Sequence, residues 1–145
     1  MLSLFGFSAD RPPPGALAFV DGLPHWIGKQ AGSRLARLAL VFEPVWCTGW
    51  EDRAPEHLPR LLGLAGAPYP HLVFGPSSRH WKLDAIDAHA GAERPLAWID
   101  DGHDERTEAW ARERPGPTLL VTTDPAVGLT EAHVLLLKAW AQVRA

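Results

Sequence analysis

The chain has 145 residues, about one domain's worth, and its 46% hydrophobic, 21% charged and 9% aromatic residues describe a globular protein rather than a disordered one. A formal net charge of −3 lacks the basic excess of nucleic-acid and anionic-membrane surfaces, and the single cysteine, Cys47, excludes an internal disulfide and a cysteine-based zinc cluster. No apolar run approaches the roughly 20 residues that span a bilayer, and MLSLFGFSAD has neither the basic region nor the apolar length of a signal peptide, so a cytoplasmic protein is expected.

Short apolar runs alternate with amphipathic segments. Ala16–Val20 reads as a strand that stops at the turn pair Asp21-Gly22, and residues 27–32 read as a loop. Ser33–Leu40 then places Leu35, Leu38 and Ala39 on one helical face. Val41–Thr48 (VFEPVWCT) reads as a buried strand with Pro44 at its entrance. Arg53–Gly63 fits a helix with Leu58, Leu61 and Leu62 inward, Gly63 as its stop and Pro59 as a kink. Pro68–Phe74 leads into another short strand. Ser77 or Ser78 is placed to cap a helix that runs to Ala90, with Trp81, Ala85 and Ile86 inward and Gly91 as its end. Leu96–Ile99 is a strand of buried type ended by Asp100-Asp101-Gly102. A polar helix over Asp104–Arg114, a strand over Thr118–Thr122 and a helix capped by Thr130 with Val134, Leu137, Trp140 and Ala141 complete the chain.

Strands separated by helices imply parallel crossover units. The expected fold is therefore α/β, a single domain over residues 1–145 with a three-layer, doubly wound, mostly parallel sheet. The spacing of the second half leaves no room for a large cap domain.

In such sheets ligands collect at the carboxyl ends of the strands. That rule selects Asp21, Thr48 and Gly49, and Asp100 and Asp101, with Lys82 at the start of the helix that precedes the last pair. Two adjacent carboxylates ending an apolar strand repel each other and require a cation or strong donors. Mg²⁺ prefers such oxygens; the plainer alternative is a helix cap plus a solvated acid. Thr48 with Gly49 can present hydroxyl and amide donors to a phosphate, or Thr48 can simply satisfy a strand end. Lys82 can hold a phosphoryl oxygen beside the acids, or be a solvated surface lysine. Trp50 and Trp81 flank Thr48 and Lys82 and can wall a pocket.

Other chemistries find less support. The seven histidines include no zinc-type pair at i, i+4 with an acid between, and no Gly-x-Ser-x-Gly occurs. Cys47 reads as an inert buried thiol, and His103 either as a group beside Asp101 that supports the acids or, more plainly, as a surface residue after a turn. Gly75-Pro-Ser-Ser78 is too short and proline-broken for a phosphate loop.

Together, Val45-Trp-Cys-Thr48-Gly49-Trp50-Glu51, His80-Trp81-Lys82 and Trp98-Ile-Asp-Asp101 resemble the second, third and fourth motifs of the haloacid dehalogenase-like (HAD) superfamily. Thr122–Thr130 also resembles a small bacterial group within it. The resemblance covers most of the chain from Asp21 onward. It implies a Rossmann-like HAD fold and Mg²⁺-dependent hydrolysis of a small phosphate ester. Thr48, Gly49 and Lys82 would then hold the phosphate, Thr48 and Lys82 as catalytic groups, and Asp100 and Asp101 the metal.

HAD phosphatases attack phosphorus with the first Asp of an Asp-x-Asp motif, and the 145 residues contain no Asp-x-Asp. Two accounts stand. In one, Phe19-Val20-Asp21 is a degenerate first motif with Phe at the nucleophile position. In the other, Met1-Leu-Ser-Leu-Phe-Gly6 resembles the segment after the motif, the chain starts beyond it, and Ala16–Asp21 belongs to an inserted loop or hairpin. The cost of losing a central strand favours the second. Under either account the expectation is a domain inactive as it stands, with Mg²⁺ bound weakly or not at all. The alternative function is a non-catalytic HAD-like domain that binds a ligand or a protein partner.

Overall fold

A computed structural model describes residues 14–64, 69–75 and 80–144. The expectations for Met1–Gly6, and for Ser77 or Ser78 as a helix cap, fall outside these residues. The elements in chain order are β1 (Gly15–Val20), β2 (Leu23–Gly28), α1 (Ala31–Leu38), α2 (Arg53–Leu61), α3 (Trp81–Ala90), β3 (Leu96–Asp100), α4 (Glu105–Glu113), β4 (Thr118–Thr122) and α5 (Glu131–Gln142). The chain is mixed α/β, and among the described residues its strands form two two-stranded sheets. It divides into two compact units, Met1–Pro44 with Glu56–Pro68 and Thr123–Ala145, and Val45–Pro55 with Tyr69–Thr122. Among the described residues no helix is long and apolar enough to cross a membrane.

In the first unit, β1 and β2 form an antiparallel hairpin with Val20 opposite Leu23. Asp21 and Gly22 make the two-residue turn with φ of 50° and 77°, the paired positive values of a type I′ turn. Residues 27–32 are thus not a loop: Ile27 and Gly28 end β2, and Ala31 and Gly32 begin α1. Gly32 packs so closely on the Leu62 carbonyl that no Cβ fits between them. Pro59 lies inside α2, and the helix stops at Gly63 (φ 66°), where the Leu64 N–H donates to the Pro59 carbonyl at 2.8 Å. Thr130 caps α5 reciprocally with His133, and α5 buries Val134 and Leu137 completely. Arg37 meets Glu131 through two hydrogen bonds of 2.7 and 2.8 Å, and Arg34 reaches the Leu129 carbonyl, tying α1 to the start of α5.

The second unit holds the parallel pairing. β3 and β4 run parallel, connected through α4, with Leu96 opposite Thr118 and Asp100 opposite Thr122. Residues 41–48 do not form the expected strand. One parallel bridge, Trp46 with His71, remains, held by Trp46 N–H to the Pro70 carbonyl (2.8 Å) and Leu72 N–H to the Trp46 carbonyl (2.9 Å). Pro44 and Pro70 have no N–H to extend that ladder. Leu72, Leu83, Ile86 and Trp98 form the core, with Val45, Cys47, Phe74, Leu96, Trp110 and Leu120 packed against it. Leu83 rather than Trp81 is the inward residue of the first turn of α3, which ends as expected at Gly91 (φ 73°). Asp104 caps α4 by accepting the Thr107 N–H at 3.0 Å.

Candidate functional site

Because β3 and β4 are parallel neighbours, their carboxyl ends fall at the same edge of the sheet, where α/β folds place ligands. Asp100 is the last residue of β3 and is 6% exposed. Lys82, in the first turn of α3, reaches it with Nζ 2.5 Å from Oδ2. The other oxygen, Oδ1, accepts the Gly102 N–H at 3.0 Å. Burial alone would raise the Asp100 carboxyl, but the hydrogen bond and charge of Lys82, aided by Gly102, outweigh it and hold the group below its ordinary value. Lys82 is therefore ion-paired rather than free in solvent, and Asp100 is not the helix cap of the plainer alternative, a place that Asp104 takes.

The segment after Trp46 comes to the same place. A Cβ on Gly49 would lie 3.8 Å from the Trp81 ring, and Trp81 in turn packs edge-to-face on Phe74 at 4.2 Å. The Lys82 ammonium lies 5.4 Å from the Trp81 ring centroid. Cys47 responds electrostatically to both Lys82 and Asp100. Its thiol is pushed up to about 11, chiefly by burial, with Lys82 opposing and Asp100 adding to the rise. A thiol at that value carries almost no thiolate at neutral pH, which makes it a poor nucleophile. Thr48, between Cys47 and Gly49, uses its hydroxyl oxygen to accept the Trp50 N–H at 3.4 Å, and its carbonyl accepts the Glu51 N–H at 3.0 Å. The hydroxyl proton is not consumed by that contact.

Asp101 is exposed and does not share the buried position of Asp100. Phe19-Val20-Asp21 lies in the antiparallel hairpin, with Phe19 63% exposed and Asp21 in the turn, not on a strand of the β3–β4 pair. Two surface cavities of about 310 and 340 Å³ lie elsewhere, one against β1, β2 and Leu61–Leu62, the other against α4 and β4.

Two neighbours carry more weight in the structure than in the sequence reading. His103 is half-buried, with its ring 4.8 Å from Trp98 and Nδ1 3.2 Å from the Thr122 hydroxyl. Burial holds its imidazole below the ordinary value, against the pull of Asp100. Thr122 joins only because the β3–β4 register sets it opposite Asp100, which no local pattern announces.

An HAD relationship implies Mg²⁺ at such strand ends, so the donor set needs testing against that ion. Mg²⁺ requires oxygen ligands in near-octahedral array, with carboxylate lone pairs available to it. Here both oxygens of Asp100 already accept protein donors. Asp104 is committed to capping α4, where Thr107 supplies both N–H and O–H. Among the described residues no group of three or more His, Cys, Asp or Glu is arranged to hold a metal. With one oxygen of Asp100 held by an ammonium, the described residues offer the ion no ready set of ligands. No protein-family model, curated protein or solved structure matches the chain.

Proposed function

We propose that the protein is a HAD-like domain, with a doubly wound, mostly parallel arrangement around β3 and β4, that binds a small phosphate ester without hydrolysing it. The observation that carries this reading is the meeting of Lys82 with Asp100 at the carboxyl end of β3, beside the segment that bears Thr48 and Gly49. An ammonium has three N–H donors and Asp100 takes one. The remaining two, with the Thr48 hydroxyl, can serve a tetrahedral oxyanion. Hydrolysis is not assigned, because the 145 residues supply no Asp-x-Asp nucleophile and burial disfavours a Cys47 thiolate. Asp100 and Asp101 offset the positive charge of Lys82, so affinity should be modest, with Kd on the order of 1–10 mM for inorganic phosphate.

Calorimetric titration with phosphate tests this. Thr48→Val keeps the side-chain shape and removes one neutral hydrogen bond, so it should weaken binding by about fivefold. Lys82→Met should weaken it by at least about tenfold, as expected for a charge-assisted contact. A flat titration of the folded protein would overturn the proposal. A second reading, a partner-binding domain, is favoured by the exposed apolar stripe of Leu135, Leu136 and Val143 along and just beyond α5. It gains if the flat titration is accompanied by a persistent dimer.

A further inference from the structure

We infer that the Lys82 ammonium takes the place of a divalent cation at the end of β3, so that the strand-end carboxylates are closed to Mg²⁺ and anion binding there is metal-independent. The first part stands on the geometry of Asp100 alone; the second rests on the phosphate reading above.

Asp100 is the buried acid of this edge, and its two oxygens point at different protein donors, Nζ of Lys82 at 2.5 Å and the Gly102 N–H at 3.0 Å. A divalent ion ligated by Oδ2 would have to share that oxygen with the ammonium or displace it. It would then sit beside a cation that α3 continues to hold close, because Lys82 stands in the first turn of that helix and Leu83 anchors the same turn in the core. Like charges at such range in a half-buried setting repel strongly. Asp101 cannot compensate, since it is exposed and lone carboxylates hold Mg²⁺ weakly. Asp104 accepts both Thr107 donors on Oδ1, and its Oδ2 lies 3.8 Å from His80 Nε2. An internal monovalent cation therefore does the charge balancing that Mg²⁺ would otherwise do, and it travels with the chain.

Mn²⁺ is the probe, because its paramagnetism reports binding directly by electron resonance of the free ion and does not depend on activity. The full chain should bind Mn²⁺ with Kd weaker than about 5 mM, and Lys82→Met should bind it at least about tenfold more tightly because Asp100 is released beside Asp101. Adding Asp100→Asn to Lys82→Met should remove the gain. If Lys82→Met does not fold, Lys82→Gln serves in its place. Wild-type binding below about 0.5 mM that is lost in Asp100→Asn overturns the inference, and so does a folded Lys82 variant that gains nothing. Phosphate titrations in EDTA and in Mg²⁺ separate the two parts. Equal affinity in both supports metal independence. Binding only with Mg²⁺ overturns this inference and leaves the phosphate reading intact. Binding in neither overturns the phosphate reading and with it the anion part, while the Mn²⁺ data still decide the metal part.

Discussion

Arg114→Ala should destabilise the protein by about 4 kcal/mol, measured by urea denaturation, which is a large share of a small domain's total stability. The Arg114 side chain is 3% exposed. It donates from Nη1 to the Thr118 hydroxyl at 2.7 Å, and from Nη2 to the Gly91 carbonyl and, at 3.3 Å, to the Arg94 carbonyl. Its Nε lies 3.3 Å from Asp87 Oδ1 as an ion pair, and the guanidinium sits 5.6 Å from the Trp110 ring centroid. One side chain thus joins the end of α3, the loop after it, the end of α4 and the start of β4. The same loop packs on the connection before β4, where Gly116 approaches the Glu93 carbonyl so closely that no Cβ fits. Truncation leaves several acceptors without donors, each costing about 1–3 kcal/mol. Arg114→Lys should recover less than half of the loss, because a point charge cannot reproduce the planar fork. A loss below about 1 kcal/mol in Arg114→Ala would show that the carbonyls find other donors.

Asp100→Ala should cost about 2–3 kcal/mol. Removing one partner of a buried ion pair is expensive, and the 24% exposure of the Lys82 side chain moderates the penalty by letting water reach the ammonium. The loss should depend on pH in a defined direction. The Asp100 carboxyl titrates below its unfolded value of about 3.9. Its stabilisation is therefore fully present above that value and is lost as pH falls through the lower folded one. Denaturation of wild type and Asp100→Ala should give a constant gap from pH 5 to 7 that narrows below about pH 4. A gap that widens on acidification would mean that Lys82 does not stabilise the charged carboxylate.

The second half of the chain was legible because its punctuation is local. Asp100-Asp101-Gly102 ends β3, Gly91 ends α3 with a positive φ, and Asp104 and Thr130 cap α4 and α5 through their own side chains. The first half was harder because its strands depend on partners. β2 contains Pro24 and His25, which carry little strand signal, and it exists because the Asp21-Gly22 turn folds it back onto β1. Residues 41–48 have the apolar content of a strand, but their pairing is limited to Trp46 by prolines on both sides of the bridge. At the candidate site the strand-end rule found Lys82 and Asp100, and their 2.5 Å contact follows from α3 preceding β3. The same rule covers Thr122, the last residue of the strand over Thr118–Thr122, but only the β3–β4 register sets it opposite Asp100 and within reach of His103. Arg114 was hidden, since nothing in Arg-Glu-Arg-Pro separates a buried arginine from an exposed one.

The most direct measurement is a phosphate titration followed by ¹⁵N–¹H correlation spectra of the full chain. The amides of Gly49, Lys82 and Gly102 should shift together along one saturating curve, with Kd on the order of millimolar, and the shifts should vanish in Lys82→Met. Spectra that stay unchanged, or shifts confined to the β1–β2 hairpin and α5, would contradict a phosphate site at the end of β3.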